Sequence, residues 1–241
     1  MPFPQIRIVM VETSHPGNIG AAARAMKNMQ LDELYLVNPV LFPHREAISR
    51  ASGAEDILEQ ATVCDSLSAA LEGCQRVYGA SARAQRTIPW PQLNARECAE
   101  EVATLPGESK VAVLFGREQS GLTNDELEYC NTLLHIPTNP DYSSLNVAAA
   151  IQVVSYELHM ARLGEQAATV AQNDDPLATA DELEGLIEHL ERVMLNTGFL
   201  DPDNPRQLMR RLRRLYQRSR LEKTELNILR GILTSVEKDR R

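Results

Sequence analysis

Nowhere in its 241 residues does this chain hold the roughly 18 to 20 consecutive apolar residues that a membrane span needs. Its first residues lack the basic-then-apolar pattern of a secretion signal, so a cytoplasmic protein without membrane attachment is expected. Cysteine is scarce: Cys64, Cys74, Cys98 and Cys130 form no CxxC pair and have no histidine neighbour at zinc spacing. They read as buried or idle thiols, and no metal site is expected. The glycine fingerprints GxGxxG and GxxxxGK[ST] are both missing, which removes the usual signals for dinucleotides and nucleoside triphosphates. There is no GxSxG elbow, and no motif ties His15, His135 or His159 to Ser143-Ser144, so a serine hydrolase is disfavoured. Aromatic residues make up only 5% of the chain, and the single tryptophan, Trp90, lies between Pro89 and Pro91. Two readings of it stand: packing a loop or stacking a base.

Apolar residues make up 43% of the chain, enough for a substantial core. The net charge of −8 argues at first against a nucleic-acid partner, because phosphate contacts need Lys and Arg. The distribution of that charge says otherwise. Residues 165–205 carry a balance of −9 and residues 206–241 a balance of +8. Six arginines and no lysine lie between Arg206 and Arg218. A field this segregated can present a basic face on an acidic protein. The alternative is a solubilising helix face.

Hydrophobic patterning alternates between strand and helix. Buried strands are predicted over Ile6–Val11, Leu34–Val37, Val77–Ala80, Lys110–Phe115 and Leu133–Ile136, with a weaker one near Ile57–Val63. Helices are predicted over Ile19–Met29 with Asn18 as its cap, near Arg45–Ser52, and over Ser66–Leu71, Asn94–Thr104, Asn124–Cys130 and Ser144–Leu163. Such alternation implies an α/β fold with a mostly parallel sheet and helices on both faces. Residues 164–179, rich in Ala, Gln, Asn, Asp and Pro, read as a linker. Beyond it a small all-α extension (180–241) is expected, with helices over Asp181–Asn196, Arg206–Arg218 and Lys223–Val236. In the second of these, Leu208, Leu212, Leu215 and Tyr216 form a stripe among arginines.

Two buried strands end in polar loops on one side of the sheet, where open α/β sheets bind ligands. The first loop follows Val111–Phe115 and Gly116 as Arg117-Glu118-Gln119-Ser120-Gly121, and the second is Pro137–Ser144. With their flanks these read LFGREQSGLTNDEL and IPTNPDYSSLNVAAA, and Asn18-Ile19-Gly20-Ala21-Ala22-Ala23-Arg24 precedes them. These three ordered motifs resemble those of the SPOUT RNA methyltransferases, knotted enzymes that use S-adenosylmethionine to methylate ribose 2′-hydroxyls. VETSHPGNIGAAARAMKNM, ASARAQRTIPWP and FGREQSGLTN are similar, within that class, to the TrmJ-type bacterial tRNA 2′-O-methyltransferases. The resemblance covers roughly residues 5–163, and the extension more loosely. It implies a trefoil knot at the end of a domain spanning 1–163, a homodimer, no metal, and tRNA as substrate, with the pyrimidine at position 32 of the anticodon loop as target. A sibling enzyme acting on ribosomal RNA, and a non-catalytic RNA-binding relative, remain the alternatives.

The same resemblance assigns roles to residues. Arg24, Asn18, Glu118 and Ser144 are carried over as catalytic. Ala80, Ser81, Ala82, Gly116, Ile136, Ser143, Ser144 and Leu145 are carried over as binding the methyl donor, although relatives often have threonine in place of Ala80. Asn146 is assigned to the substrate ribose, and Arg83, Arg86, Arg210 and Arg214 to phosphates. Plainer readings stand beside these: Arg24 as a solvated helix arginine, Asn18, Ser143 and Ser144 as helix caps, Gly116 as a turn glycine, and Glu118 as a loop carboxylate. As a site residue, Glu118 would hold the Arg24 guanidinium. A guanidinium is a poor general base, because its pKa lies above roughly 12. A donor fixing the hydroxyl and its phosphate in line fits Arg24 at least as well.

Overall fold

The computed structural model describes residues 3–82, 91–164, 175–202 and 207–238. Arg83, Arg86, Trp90 and Arg206 lie outside them. A seven-stranded sheet runs in the order β3-β2-β1-β6-β4-β7-β5, and every pairing in it is parallel. Its strands are β1 (Gln5–Val11), β2 (Glu33–Val37), β3 (Thr62–Cys64), β4 (Arg76–Ala80), β5 (Gln92–Asn94), β6 (Lys110–Phe115) and β7 (Thr132–His135). The central strands β1 and β6 are buried at every position but the first, as a sheet covered on both faces requires.

Helices α1 (Pro16–Asn28), α2 (Arg45–Ala51), α3 (Glu55–Glu59), α5 (Ala95–Ala103) and α7 (Val147–Gly164) belong to the larger apolar cluster, which contains Ile8, Met10, Ile19, Met26, Tyr78, Val113 and Ile151. The smaller cluster joins Val9, Val11, Ala112 and Leu114 to Leu71 of α4 (Leu67–Leu71) and Leu127 of α6 (Asn124–Leu127). Small residues set the helix spacing in the larger layer. A Cβ added to Gly20 would stand 2.0 Å from the Ala47 carbonyl oxygen, so α1 and α2 touch backbone to backbone.

Several expectations need correction. The apolar stretch 57–63 is not one strand. Glu55 and Asp56 start α3 with acidic residues at its positive end, and that helix buries Ile57 and Leu58. Only Thr62–Cys64 extends, as an edge strand with Val63 52% exposed. β5 was missed because its three polar-to-mixed residues carry no periodicity; pairing with β7 makes it a strand. Helix α1 begins earlier than Asn18 predicts. His15 is its cap, accepting from Gly17 N at 3.1 Å, and Pro16 occupies the first turn. Helix α7 begins at Val147, not Ser144, with Asn146 Oδ1 accepting from the amides of Ala148 and Ala149 at 2.9 and 3.3 Å. Ser143 and Ser144 therefore do not cap it.

Of the C-terminal helices, α8 (Ala180–Thr197) and α9 (Leu208–Arg218) reach the residues that precede β4 and β7 and, through Arg210, α6, while α10 (Lys223–Lys238) packs on α8. Residues 165–174 of the expected linker lie outside the description. The rest of it is held, since Ala178 N donates to Leu221 O and Ala180 N to Cys74 O, at 2.8 and 2.6 Å. Glu101 gathers Arg76, Arg220 and the Tyr78 hydroxyl, tying the end of α9 to the sheet.

Candidate active site

Because every strand runs the same way, the loops after β4, β6 and β7 emerge at one edge. They enclose a cavity of about 320 Å³, at the lower end of the size range of small-molecule sites. Ala80, Ser81 and Ala82 line it from β4, Gly116 to Leu122 from β6, and Ile136, Ser143, Ser144 and Leu145 from beyond β7. Every residue assigned to the methyl donor thus borders one cavity. The turn after β6 is tight, with Gly121 N donating to Arg117 O at 2.9 Å and Gly121 at φ +69°. Thr138 Oγ1 donates to Ser143 O at 3.2 Å and shapes the second loop.

A continuous hydrogen-bonded chain joins the three motifs at the rim. Asn146 Nδ2 donates to Asn18 Oδ1 at 3.0 Å, and Asn18 Nδ2 donates to Glu118 Oε1 at 2.9 Å. Glu118 also accepts from Ser14 Oγ at 2.9 Å and from the backbone amides of Ser14 and His15, both at 3.2 Å. Partial burial alone would push the Glu118 carboxyl up. The donors from Asn18, Ser14 and His15 outweigh it and hold the pKa down, at about 2.

Glu118 is therefore ionised at neutral pH, and its partners are Asn18, Ser14 and the His15 amide. The expected contact with Arg24 does not form. Arg24 is exposed on α1 and makes no hydrogen bond or ion pair with the described residues. It does not line the cavity. Asn146, expected at the substrate ribose, has its side chain committed to capping α7 and to Asn18.

Since the folded-state pKa of Glu118 lies below its unfolded value, its contribution to stability is complete above about pH 4.5 and disappears as pH falls toward 2. Glu118→Gln should lower the urea midpoint at pH 7, and the gap from wild type should close between pH 4.5 and 2. A gap that stays constant through that window would show that the carboxylate charge plays no part.

The basic patch is smaller than the sequence suggests. Arg210 pairs with Asp125 and Glu128 at 2.9 and 2.5 Å, because α6 and the residues after it are acidic. Arg210, assigned to phosphates by the resemblance, is thus engaged by two carboxylates in this structure. Arg213 pairs with Glu184. Arg214 is half-buried, with Nε unpartnered, while Arg211 and Arg218 stand exposed. The sequence reading also missed Arg117, a residue of the cavity lining whose side chain pairs with Glu12 and Glu126. The only local signal was the capping box from Thr123 to Glu126, which fixes one of those carboxylates. Among the described residues no three His, Cys, Asp or Glu side chains converge as metal ligands, and no helix is long and apolar enough to cross a membrane.

Comparison with known proteins places this geometry. Residues 5–156 match the model of the SpoU rRNA Methylase family, and residues 181–241 match the C-terminal domain of the tRNA methyltransferase TrmJ. The tRNA (cytidine/uridine/adenosine-2′-O-)-methyltransferase TrmJ of Pseudomonas aeruginosa (strain UCBPP-PA14) is 54% identical, covering 97% of this chain and 94% of its own length. The tRNA (cytidine/uridine-2′-O-)-methyltransferase TrmJ of Pectobacterium atrosepticum is 52% identical, covering 97% of each. The crystal structure of TrmJ from Z. mobilis ZM4 superposes with a TM-score of 0.83 at 33% identity, covering 98% of this chain and 99% of that one.

Proposed function

Because the chain belongs to the SpoU methylase family and carries a TrmJ-type C-terminal domain, we propose that this methyltransferase acts on tRNA. The reaction is transfer of a methyl group from S-adenosylmethionine to a ribose 2′-hydroxyl, at the pyrimidine in position 32 of the anticodon loop. The observation that carries this reading is the cavity after β4, β6 and β7, together with the Ser14–Glu118–Asn18–Asn146 chain along its rim.

The lining suits an adenosine-type ligand. Gly116 leaves no room for a side chain, Ala80 and Ala82 are small, and Ile136 and Leu145 supply apolar contact beside exposed backbone groups. The bound donor supplies an electrophilic methyl group. What the protein adds is position. Glu118, saturated by donors, fixes the first motif against the loop after β6. Arg24 has no partner among the described residues and stands on α1, about 9 Å along the helix axis beyond Asn18 at 1.5 Å per residue. Helical side chains lean toward the N-terminus, which would let the guanidinium reach back toward the rim and hold the hydroxyl and an adjacent phosphate. Ser144, exposed in the second loop, completes the proposed catalytic set.

The phosphate-binding surface is proposed to combine Arg214, Arg211 and Arg218 of α9 with Arg83 and Arg86. A homodimer is supported by Val153, Tyr156, Met160 and Leu163, which lie on α7 at helical spacing and are 37% to 54% exposed. Threading of residues 136–146 through the loop after β6, as in a trefoil knot, belongs to the same reading, as does a cytoplasmic location beside tRNA. The P. aeruginosa relative has adenosine in its name and the Pectobacterium relative only pyrimidines, so the base at position 32 is the feature to vary.

The test is to incubate the purified protein and labelled S-adenosylmethionine with total RNA from a strain lacking the gene, then map ribose methylation. One modification at position 32 of tRNA is expected. Label confined to ribosomal RNA would overturn the substrate, and donor binding without label in any RNA would overturn the enzyme.

A further inference from the structure

All three nitrogens of the Arg117 guanidinium are engaged. Nε and Nη2 contact the two carboxylate oxygens of Glu12 at 2.9 and 2.8 Å, and Nη1 lies 3.0 Å from Glu126. The first pair is the bidentate fork that gives arginine both strength and a fixed direction. Neither carboxylate belongs to the loop that Arg117 occupies. Glu12 follows β1, the strand beside β6, and Glu126 lies on α6, where it also accepts from Thr123 N at 2.7 Å in the capping box. Glu12 takes a backbone φ of +47°, unusual for a residue with a side chain. It is held there by Glu12 N donating to Val37 O at 2.8 Å. Arg117 is thus tied at its side chain to both flanks of the loop and at its carbonyl to Gly121.

Two formal negative charges surround this one positive charge, so the cluster offers no net attraction to an anionic ligand in the cavity that Arg117 lines. Resting on the methyl-donor reading of that cavity, we propose that Arg117 is a positioning residue. Clamped by Glu12 and Glu126, it holds the 116–121 loop in the shape that accepts the donor and does not itself bind the donor's charged end. The ordering of the loop is then complete before the ligand arrives, which lowers the entropic cost of binding.

The rival role, direct contact with the donor's carboxylate, makes opposite demands on Glu12. Glu12→Gln removes half the clamp and releases the arginine. Calorimetry of the full chain with S-adenosylmethionine should show Kd raised about tenfold in Glu12→Gln and in Arg117→Ala. The double variant should be no worse than either single one, the non-additivity expected of groups acting as one unit. At saturating donor, kcat should stay within about threefold of wild type, which a general loss of structure would not allow. Arg117→Lys should not restore binding, because an ammonium cannot span two carboxylates with a planar fork.

If Glu12→Gln binds the donor as tightly as wild type or more tightly while Arg117→Ala loses binding, arginine is a ligand and the clamp is refuted. Variants that all bind like wild type refute it as well. Should Arg117→Ala fail to fold, the near-isosteric Glu12→Gln decides alone. A wild-type protein that does not bind S-adenosylmethionine would refute the underlying site assignment instead.

Discussion

Replacing Gly116 by alanine will weaken S-adenosylmethionine binding by roughly 100-fold or more, about 2.7 kcal/mol, while leaving a protein that still unfolds in one cooperative transition. The reason is steric and local. A Cβ on Gly116 would lie 2.2 Å from the Gly121 carbonyl carbon, 2.3 Å from Leu122 N and 2.4 Å from Gly121 O. Real Cβ atoms essentially never approach so closely, and these neighbours are backbone atoms, with no rotamer by which to withdraw. The turn from 116 to 122 must therefore open, and that turn forms one wall of the cavity. Shifts of the order of 1 Å in a binding wall are enough to dismantle a preorganised site. Gly121 provides the internal control. Its φ of +69° is unfavourable for alanine, yet no atom lies within 4 Å of its added Cβ. Gly121→Ala should cost only about 1 kcal/mol of stability, from backbone strain, with a much smaller effect on binding. Titration of both variants with S-adenosylhomocysteine, beside their urea curves, separates the two cases. Binding by Gly116→Ala within threefold of wild type would show that the loop is not the wall.

The strands that make this cavity were legible because burial on both faces leaves a plain mark. The stretches Ile6–Val11 and Lys110–Phe115 are nearly unbroken apolar runs ending in polar loops, and β1 and β6 occupy them almost residue for residue. The edges were less legible, because edge strands owe their form to a neighbour. Gln92–Asn94 extends only by pairing with β7, and Ile57 and Leu58 could be assigned to a helix only once their packing was visible.

At the site the same division holds. That three loops meet was readable from strand order and motif spacing. Which side chains meet within them was not. Glu118 finds Ser14 and Asn18 about a hundred positions away, and Arg117 finds Glu12 at a similar separation, partners chosen by the adjacency of β1 and β6. Local chemistry misled at Asn18, a good capping residue in the abstract, because Pro16 two positions earlier had already set the helix start at His15. The arginines of α9 misled for a related reason: sequence shows a run of cations but not that acidic residues of α6 and α8 lie opposite Arg210 and Arg213.

That neutralisation sharpens the expectation for Arg24, whose charge nothing among the described residues offsets. Arg24→Ala should lower the single-turnover rate of tRNA methylation about a thousandfold, near 4 kcal/mol of barrier, with Kd for S-adenosylmethionine unchanged within twofold. The separation follows from place. Arg24 neither lines the cavity nor joins the Glu118 network, so the donor site should not register its loss. A substrate hydroxyl and phosphate, by contrast, would lose the donor that holds them in line. Arg24→Lys tests the geometry of that grip. An ammonium keeps the charge but not the two-pronged fork, so it should recover only part of the rate. Full recovery would mean that charge alone suffices. Arg24→Ala turning over within tenfold of wild type would remove the residue from the reaction, and loss of donor affinity in parallel with rate would make it a structural member of α1.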